Sequence, residues 1–338
     1  MKGLRVKSSC ISDISWLQPN SLIDYKYHIH SLISTGGFGQ VYWATNNYTG
    51  QFIAIKIERK DSKFQLLKNE AETLAKINRI YHKRHKINKK FDTIQLIDYF
   101  ETKNFNFMVM PLYGPNFYEI RKGMINEKFS ILTTLWIMKN MILCLEGLHN
   151  YGWIHRDVKP ANFCIDLYNS NDDGKKKMYL VDFGLAKKYR KTDGSIIPKR
   201  DYANFRGTVR YASLNAHKRN DLGRIDDFWS IYFIAVENFI GNLPWRNIID
   251  KEEVGYMKKE CNLLELNYGN TGPPNSFKIL FDHVKSTGFY NEPKYNELCD
   301  VIEQEMRDFG YYSHNKRLDW EEYEIVNSIL SRKGISSV

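Results

Sequence analysis

The chain has 338 residues, 43% of them apolar and 26% charged, with a formal net charge of +10. That length is ample for a buried core, as one large domain or two smaller ones, and the balance is ordinary for a soluble globular protein. The basic charge favours polyanions, but the lysines and arginines are dispersed rather than striped with aromatics, so a solvated basic surface is expected and a nucleic-acid face is not. No apolar run near the N-terminus has signal-peptide character, since Lys2, Arg5, Lys7 and Asp13 interrupt it. The most apolar segments, 131–148 and 228–240, are broken by Lys139, Glu146 and Glu237, so no membrane span is expected. Five cysteines without metal-ligand spacing read as free thiols in a reducing compartment, which predicts an intracellular, cytoplasmic chain with the nucleus as the alternative.

In chain order, residues 1–24 read as an arm, with Trp16 and Leu17 docking on the domain that follows. Alternation then predicts strands over 27–34, 40–44 and 51–58, the first two joined by the tight turn Ser34-Thr35-Gly36-Gly37-Phe38-Gly39. Gly36 and Gly39 would let the backbone close over phosphates with its amides as donors, although any hairpin uses such a turn. Lys56 lies on the third strand, where an unpaired ammonium would be expensive, so it needs a partner. The next helical stretch, 64–78, presents Leu66, Leu67, Leu74 and Ile77 on one face and offers Glu70. The basic run 82–90 reads as a solvated loop, with a nuclear address or an anionic partner site as the alternative. Two further strands are expected at 93–99 and 105–110, then a hinge at Pro111-Leu112-Tyr113-Gly114. Residues 131–148 repeat apolar positions at helical spacing and predict a core helix leading to the next motif.

That motif is His155-Arg156-Asp157-Val158-Lys159-Pro160-Ala161-Asn162, followed after two short apolar strands by Asp182-Phe183-Gly184. A lone His-Arg-Asp is commonly a capped surface turn. The order and spacing of Asp157, Lys159, Asn162 and Asp182, with Lys56 and Glu70 upstream, resemble the protein-kinase signature. The resemblance implies an α+β bilobal fold: a small β-rich lobe over 25–110, a hinge at 111–114 and a larger, mainly helical lobe over 115–322. A short tail is expected from 323 to 338, with no further domain. It implies that Asp157 orients and deprotonates a substrate hydroxyl and that Lys159 neutralises the transferring phosphoryl group. Asn162 and Asp182 would hold Mg2+, and the Lys56–Glu70 pair would grip ATP.

In the same resemblance, the turn Ser34, Gly36, Gly37, Phe38, Gly39 covers the phosphates, with Ser34 where kinases usually carry a third glycine. Met110 stands at the back of the nucleotide pocket, Leu112 backbone groups bond the adenine, and Ile33, Val41, Ala54 and Cys164 sandwich it. Lys159, two residues after Asp157, is the serine/threonine arrangement.

The segment Arg206-Gly207-Thr208-Val209-Arg210-Tyr211-Ala212-Ser213-Leu214-Asn215-Ala216-His217 replaces the usual Ala-Pro-Glu segment and resembles the casein kinase 1 group. Residues 223–230, Leu243-Pro244-Trp245-Arg246 and Asp319-Trp320-Glu321 resemble its tau-tubulin kinase branch. The resemblance covers about residues 25–322. It implies that Asp227 anchors the catalytic loop from the core and that Thr208 contacts Asp157 and Lys159. Arg210, helped by Arg206 and a lysine that aligns with Lys258, would form an anion site favouring acidic or phospho-primed protein substrates. An ordinary structural salt bridge is the alternative for Arg210. Tyr232 replaces a residue that is small in many kinases. A constitutively active monomer is expected, with Thr192, Ser195 and Tyr202 as equivalent candidate phosphosites. Against the enzyme stands a pseudokinase scaffold, which would predict loss of Lys56, Asp157, Asn162 or Asp182; only Ser34 speaks for it. A small-molecule phosphotransferase is discouraged by the segment from Arg206 to His217.

Overall fold

The computed structural model describes residues 15–37, 39–63, 65–84, 94–167, 177–269, 272–311, 317–322 and 324–335. Alternating side chains build an antiparallel sheet from β1 (Leu22–Ile23), β2 (Tyr27–Gly36), β3 (Gly39–Asn46), β4 (Phe52–Arg59), β5 (Asp98–Glu101) and β6 (Phe105–Pro111). Its spatial order is β1-β2-β3-β4-β6-β5. The period of two decides which way each residue faces. Ile53, Ile55 and Ile57 pack with Tyr42, Phe107 and Val109 on the outer face. Ala54 and Lys56 therefore point to the opposite, cleft-facing side, and Ala54 joins Trp43, Met108 and Met110 there.

Within the arm, Trp16 and Leu17 dock on this outer face. Trp16 stacks on Phe105 at 6.0 Å, and the Trp16 and Leu17 amides donate to the Tyr42 hydroxyl at 2.8 and 3.1 Å. Helix α1 (Leu67–Arg84) begins three residues later than its pattern suggests and runs six residues further. Glu58 sets that start by accepting the Leu66 and Leu67 amides. The strand expected at 93–99 begins only at Asp98. The preceding residues are instead tied to α1, because Asn78 bonds the Ile94 carbonyl and the Leu96 amide, each at 2.8 Å. The basic run at 85–90 and Phe38 lie outside the described residues.

Below the hinge come α2 (Phe117–Gly123), α3 (Ile131–Asn150), the short β7 (Trp153–Ile154), and the β8–β9 hairpin (Phe163–Ile165, Met178–Leu180). Next are β10 (Lys187–Lys188), which pairs with β7, α4 (Leu214–His217), α5 (Arg224–Ile240), α6 (Lys251–Glu260), α7 (Asn275–Ser286) and α8 (Tyr295–Asp308). Helix α3 is long and apolar enough to cross a bilayer by composition alone, but most of that surface is buried in the large lobe. It packs on α5 and α8. Tyr232 on α5 is fully buried against Phe281 at 5.1 Å, and its hydroxyl has no partner.

The described residues 317–322 and 324–335 pack onto the domain. In α9 (Asp319–Glu322), Asp319 caps α3 through the Ser130 amide and hydroxyl at 2.6 Å. Trp320 fills an aromatic cluster with Phe117 and Trp136. Where a short tail is expected from 323, the structure has α10 (Ile325–Arg332), lying along α2. Its apolar residues Ile325, Val326, Ile329 and Leu330 recur on one helical face and have that surface to bury.

Candidate active site

The cleft between the lobes contains a cavity of about 480 Å³. Its roof is the β2–β3 hairpin. Gly39 is required there because an added Cβ would lie 2.2 Å from the Ile57 carbonyl oxygen, whereas a Cβ on Gly37 would meet nothing. Close backbone approach on one side and open space on the other leave the turn free to cover a ligand. Ser34 continues β2, paired with Val41 after a register shift.

Lys56 projects from β4 into this cavity, 2.7 Å from Glu70 and 3.2 Å from Asp182. Burial alone would lower the ammonium, but the charges of Glu70 and then Asp182 outweigh it and hold Lys56 above its ordinary value. Burial would likewise raise Asp182; Lys56 and Lys159 overcome that and bring it down to about 2. Glu70 is itself pushed up by burial. With an ammonium between two carboxylates, a charged Lys56 lies beside an ionised Asp182.

The 155–162 loop is fixed from beneath. Asp227 is 2% exposed and accepts the His155 and Arg156 amides at 2.8 Å each, while His149 Nε2 lies 3.0 Å from the same carboxylate. Arg156 takes a left-handed φ of 67° and Asp182 one of 65°. Few non-glycine residues adopt that conformation, and holding it stores some backbone strain. Asp157 accepts from Thr208 Oγ1 at 2.7 Å and from Lys159 Nζ at 2.6 Å. Asn162 Nδ2 donates to the Asp157 carbonyl at 2.9 Å. Lys56, Glu70, Asp157, Lys159, Asn162 and Asp182 therefore line one opening, with Thr208 on Asp157.

Ile33, Val41, Ala54, Met110, Leu112 and Cys164 line the cavity, and burial pushes the Cys164 thiol up to about 12. One expectation needs correcting. The Leu112 amide donates to the Phe52 carbonyl at 3.4 Å, continuing the β4–β6 edge, so it is not the hinge donor facing a base.

A magnesium-nucleotide fits this donor set. Asp182, 40% exposed, and the Asn162 amide oxygen would supply two hard oxygen ligands. Magnesium commonly takes only one or two protein groups and completes its shell with phosphates and water. Among the described residues no group of three acidic, His or Cys side chains forms a closed protein cage.

The expected anion site is different from its forecast. Arg210 lies 3.3 Å from Glu237 and donates to the Arg246 carbonyl at 3.3 Å, which is the structural salt bridge held open as the alternative. Lys258 is 6% exposed. Its ammonium donates to the Val209 and Ala212 carbonyls at 2.7 and 2.6 Å, and burial pulls it well below its ordinary value. It props the segment from behind and presents no charge to a substrate. Arg206 is exposed, and its charge is felt by Arg156. Beside Asp157 a groove runs past Tyr118, Val209, Trp245 and Val254.

Sequence reasoning missed Glu119, Leu330, Lys333 and Ile335, which also line the cavity. The capping box Asn116-x-x-Glu119, with reciprocal bonds of 3.0 and 3.2 Å, is a signal that could have placed Glu119 at the start of α2.

A two-lobed fold with a lysine–carboxylate pair, a loop carboxylate and an Asp/Asn pair around one cleft has the parts of the protein-kinase template. The protein kinase domain family matches residues 27–309, and the chain belongs to that family. It is similar to a probable serine/threonine-protein kinase of Dictyostelium discoideum, 35% identical over 301 residues, covering 89% of this chain and 57% of that relative. It is also similar to the serine/threonine-protein kinase spe-6 of Caenorhabditis elegans, 28% identical over 305 residues, covering 89% of this chain and 77% of that protein. The chain thus spans little more than half the length of the Dictyostelium relative.

Proposed function

We propose that this protein is a serine/threonine protein kinase, transferring the γ-phosphoryl group of ATP to serine or threonine hydroxyls of proteins. The observation that carries this reading is the convergence of Lys56–Glu70–Asp182 and Lys159–Asp157–Thr208 on one cleft. Magnesium, held by Asp182 and Asn162, would neutralise charge on the phosphates. Lys56, kept charged and aimed by its two carboxylates, binds the α- and β-phosphates. Asp157, oriented by Thr208 and Lys159, positions the substrate hydroxyl and receives its proton as the oxygen–phosphorus bond forms. The bond from the γ-phosphorus to the β-phosphate oxygen breaks, and ADP leaves. Lys159 meets the charge that develops on the moving group.

The finer reading places the protein in the casein kinase 1 group and its tau-tubulin branch, on the segment from Arg206 to His217 and on Asp319-Trp320-Glu321. A preference for acidic or phosphate-bearing substrates would rest on the exposed Arg206, because Arg210 and Lys258 are already engaged. The test is transfer of labelled phosphate from Mg·ATP to casein, with hydrolysis of the product to identify the labelled amino acid. Phosphoserine or phosphothreonine that disappears in Asp157→Asn supports the reading. Intact nucleotide binding with no transfer by the wild type would make it a scaffold.

A further inference from the structure

The last described segment returns to the cleft and touches both lobes. A Cβ added to Gly123 of α2 would lie 2.8 Å from Ile325 Cγ2, so α10 sits tightly on the large lobe. Ile329 and Leu330 are 4% and 6% exposed. After α10 the chain turns at Gly334, with φ 68°, and the Ile335 amide closes on the Leu330 carbonyl at 3.0 Å. The Ser31 hydroxyl of β2, in the small lobe, donates to the Lys333 carbonyl. The Lys333 ammonium meets Glu119 of α2 at 2.7 Å. Leu330, Lys333 and Ile335 thereby line the same cavity as Lys56 and Asp182.

Extending the kinase reading above, we infer that residues 325–335 belong to the nucleotide site: a strap that walls the hinge end of the cleft and sets nucleotide affinity. Lys56, Asp182 and the glycine turn claim the phosphate end of the cavity. The hinge, Glu119 and the strap claim the other end, where the base and sugar must lie. Leu330 and Ile335 offer aliphatic surface to a flat base. Lys333 and Glu119 offer a donor and an acceptor to sugar hydroxyls while neutralising each other. The strap is a wall and not a plug, because with it seated the cavity still holds about 480 Å³, inside the range of about 300–1,000 Å³ for small-molecule sites.

Gly334 allows a clean test. Its left-handed backbone disfavours any β-branched residue, and an added Cβ would approach Ser31 Oγ at 3.3 Å. Gly334→Val should unseat the strap without touching the phosphate end. Binding of a fluorescent ADP analogue with Mg2+ is titrated on the full chain of the wild type, Gly334→Val and Lys333→Ala. The expected result is dissociation constants raised on the order of tenfold in Gly334→Val and less in Lys333→Ala, with unfolding midpoints showing both folded.

Unchanged or tighter binding in Gly334→Val overturns the inference while the kinase reading stands. A wild type that binds no nucleotide overturns both.

Discussion

Lys56 sits between Glu70 and Asp182 in the cleft, and Glu237 sits between Arg121 and Arg210 beneath the segment from Arg206 to His217. The two triads have opposite charge balance: one ammonium with two carboxylates is formally −1, one carboxylate with two guanidiniums is +1. What separates them is where the surplus goes. Arg121, 1% exposed, donates to the Glu127 and Gly241 carbonyls at 3.2 Å, and Tyr211 donates to Glu237 at 2.7 Å. That surplus is absorbed by the fold. At Lys56 the surplus negative charge belongs to Asp182, which opens onto the cavity and so remains available to a cation. A buried ion cluster marks a ligand site only when part of its charge faces a space large enough to use it.

The contrast can be broken by removing the central or flanking carboxylate on each side. Glu237→Gln leaves Arg121 charged and buried, and should cost about 3–5 kcal/mol of stability in denaturant unfolding. Glu70→Gln leaves Lys56 with Asp182 and open space. It should reduce phosphate-transfer kcat/KM about a hundredfold through misplacement of the lysine, with a much smaller stability loss than Glu237→Gln. Equal stability losses would erase the distinction between structural and functional triads.

A smaller effect tests buried polarity without charge. The Tyr232 hydroxyl has no partner, so Tyr232→Phe should leave the unfolding free energy unchanged or raise it by about 1 kcal/mol. A clear loss would mean that the hydroxyl is satisfied.

The smallest effect is pH-dependent. Burial, followed by the nearby Lys258 charge, lowers His217 to about 4. An unfolded histidine takes up its proton near pH 6.5, at about its ordinary value. Its contribution to stability is therefore complete above that pH and drains away as pH falls towards 4. Unfolding midpoints measured from pH 7 to pH 5 should decline, and His217→Asn should flatten that decline. An identical slope in the variant would contradict the assignment.

What could be read from the sequence was whatever chemistry forces into local spacing. The 155–162 loop and Asp182 are legible because one reaction needs those side chains at those intervals. Lys56 is legible because a lysine on an apolar strand needs a carboxylate. The assembly on one cleft follows from Asp227 gripping two loop amides, a position that the motifs already marked. The errors have a different origin. Leu112 looked like a hinge donor until the β4–β6 edge was seen to take its amide. Lys258 aligns with an anion-site lysine of the resembled group, and the pattern of α6 gives no sign that its ammonium would close on two carbonyls. The strap was missed because Ser31 and Lys333 meet only through tertiary folding, 302 positions apart. An apolar helical face in a terminal segment says that something is buried, but not where.

The most direct test of the account is labelled phosphate transfer from Mg·ATP by the wild type and by Asp182→Asn, with nucleotide binding followed in parallel. Asp182→Asn retains the fold but loses the charge that faces the cavity. Transfer to serine or threonine should fall by a factor on the order of 10³ or more, while the unfolding midpoint stays near that of the wild type. Transfer by Asp182→Asn at the wild-type rate would contradict the assignment of that carboxylate, and with it the division between the two triads.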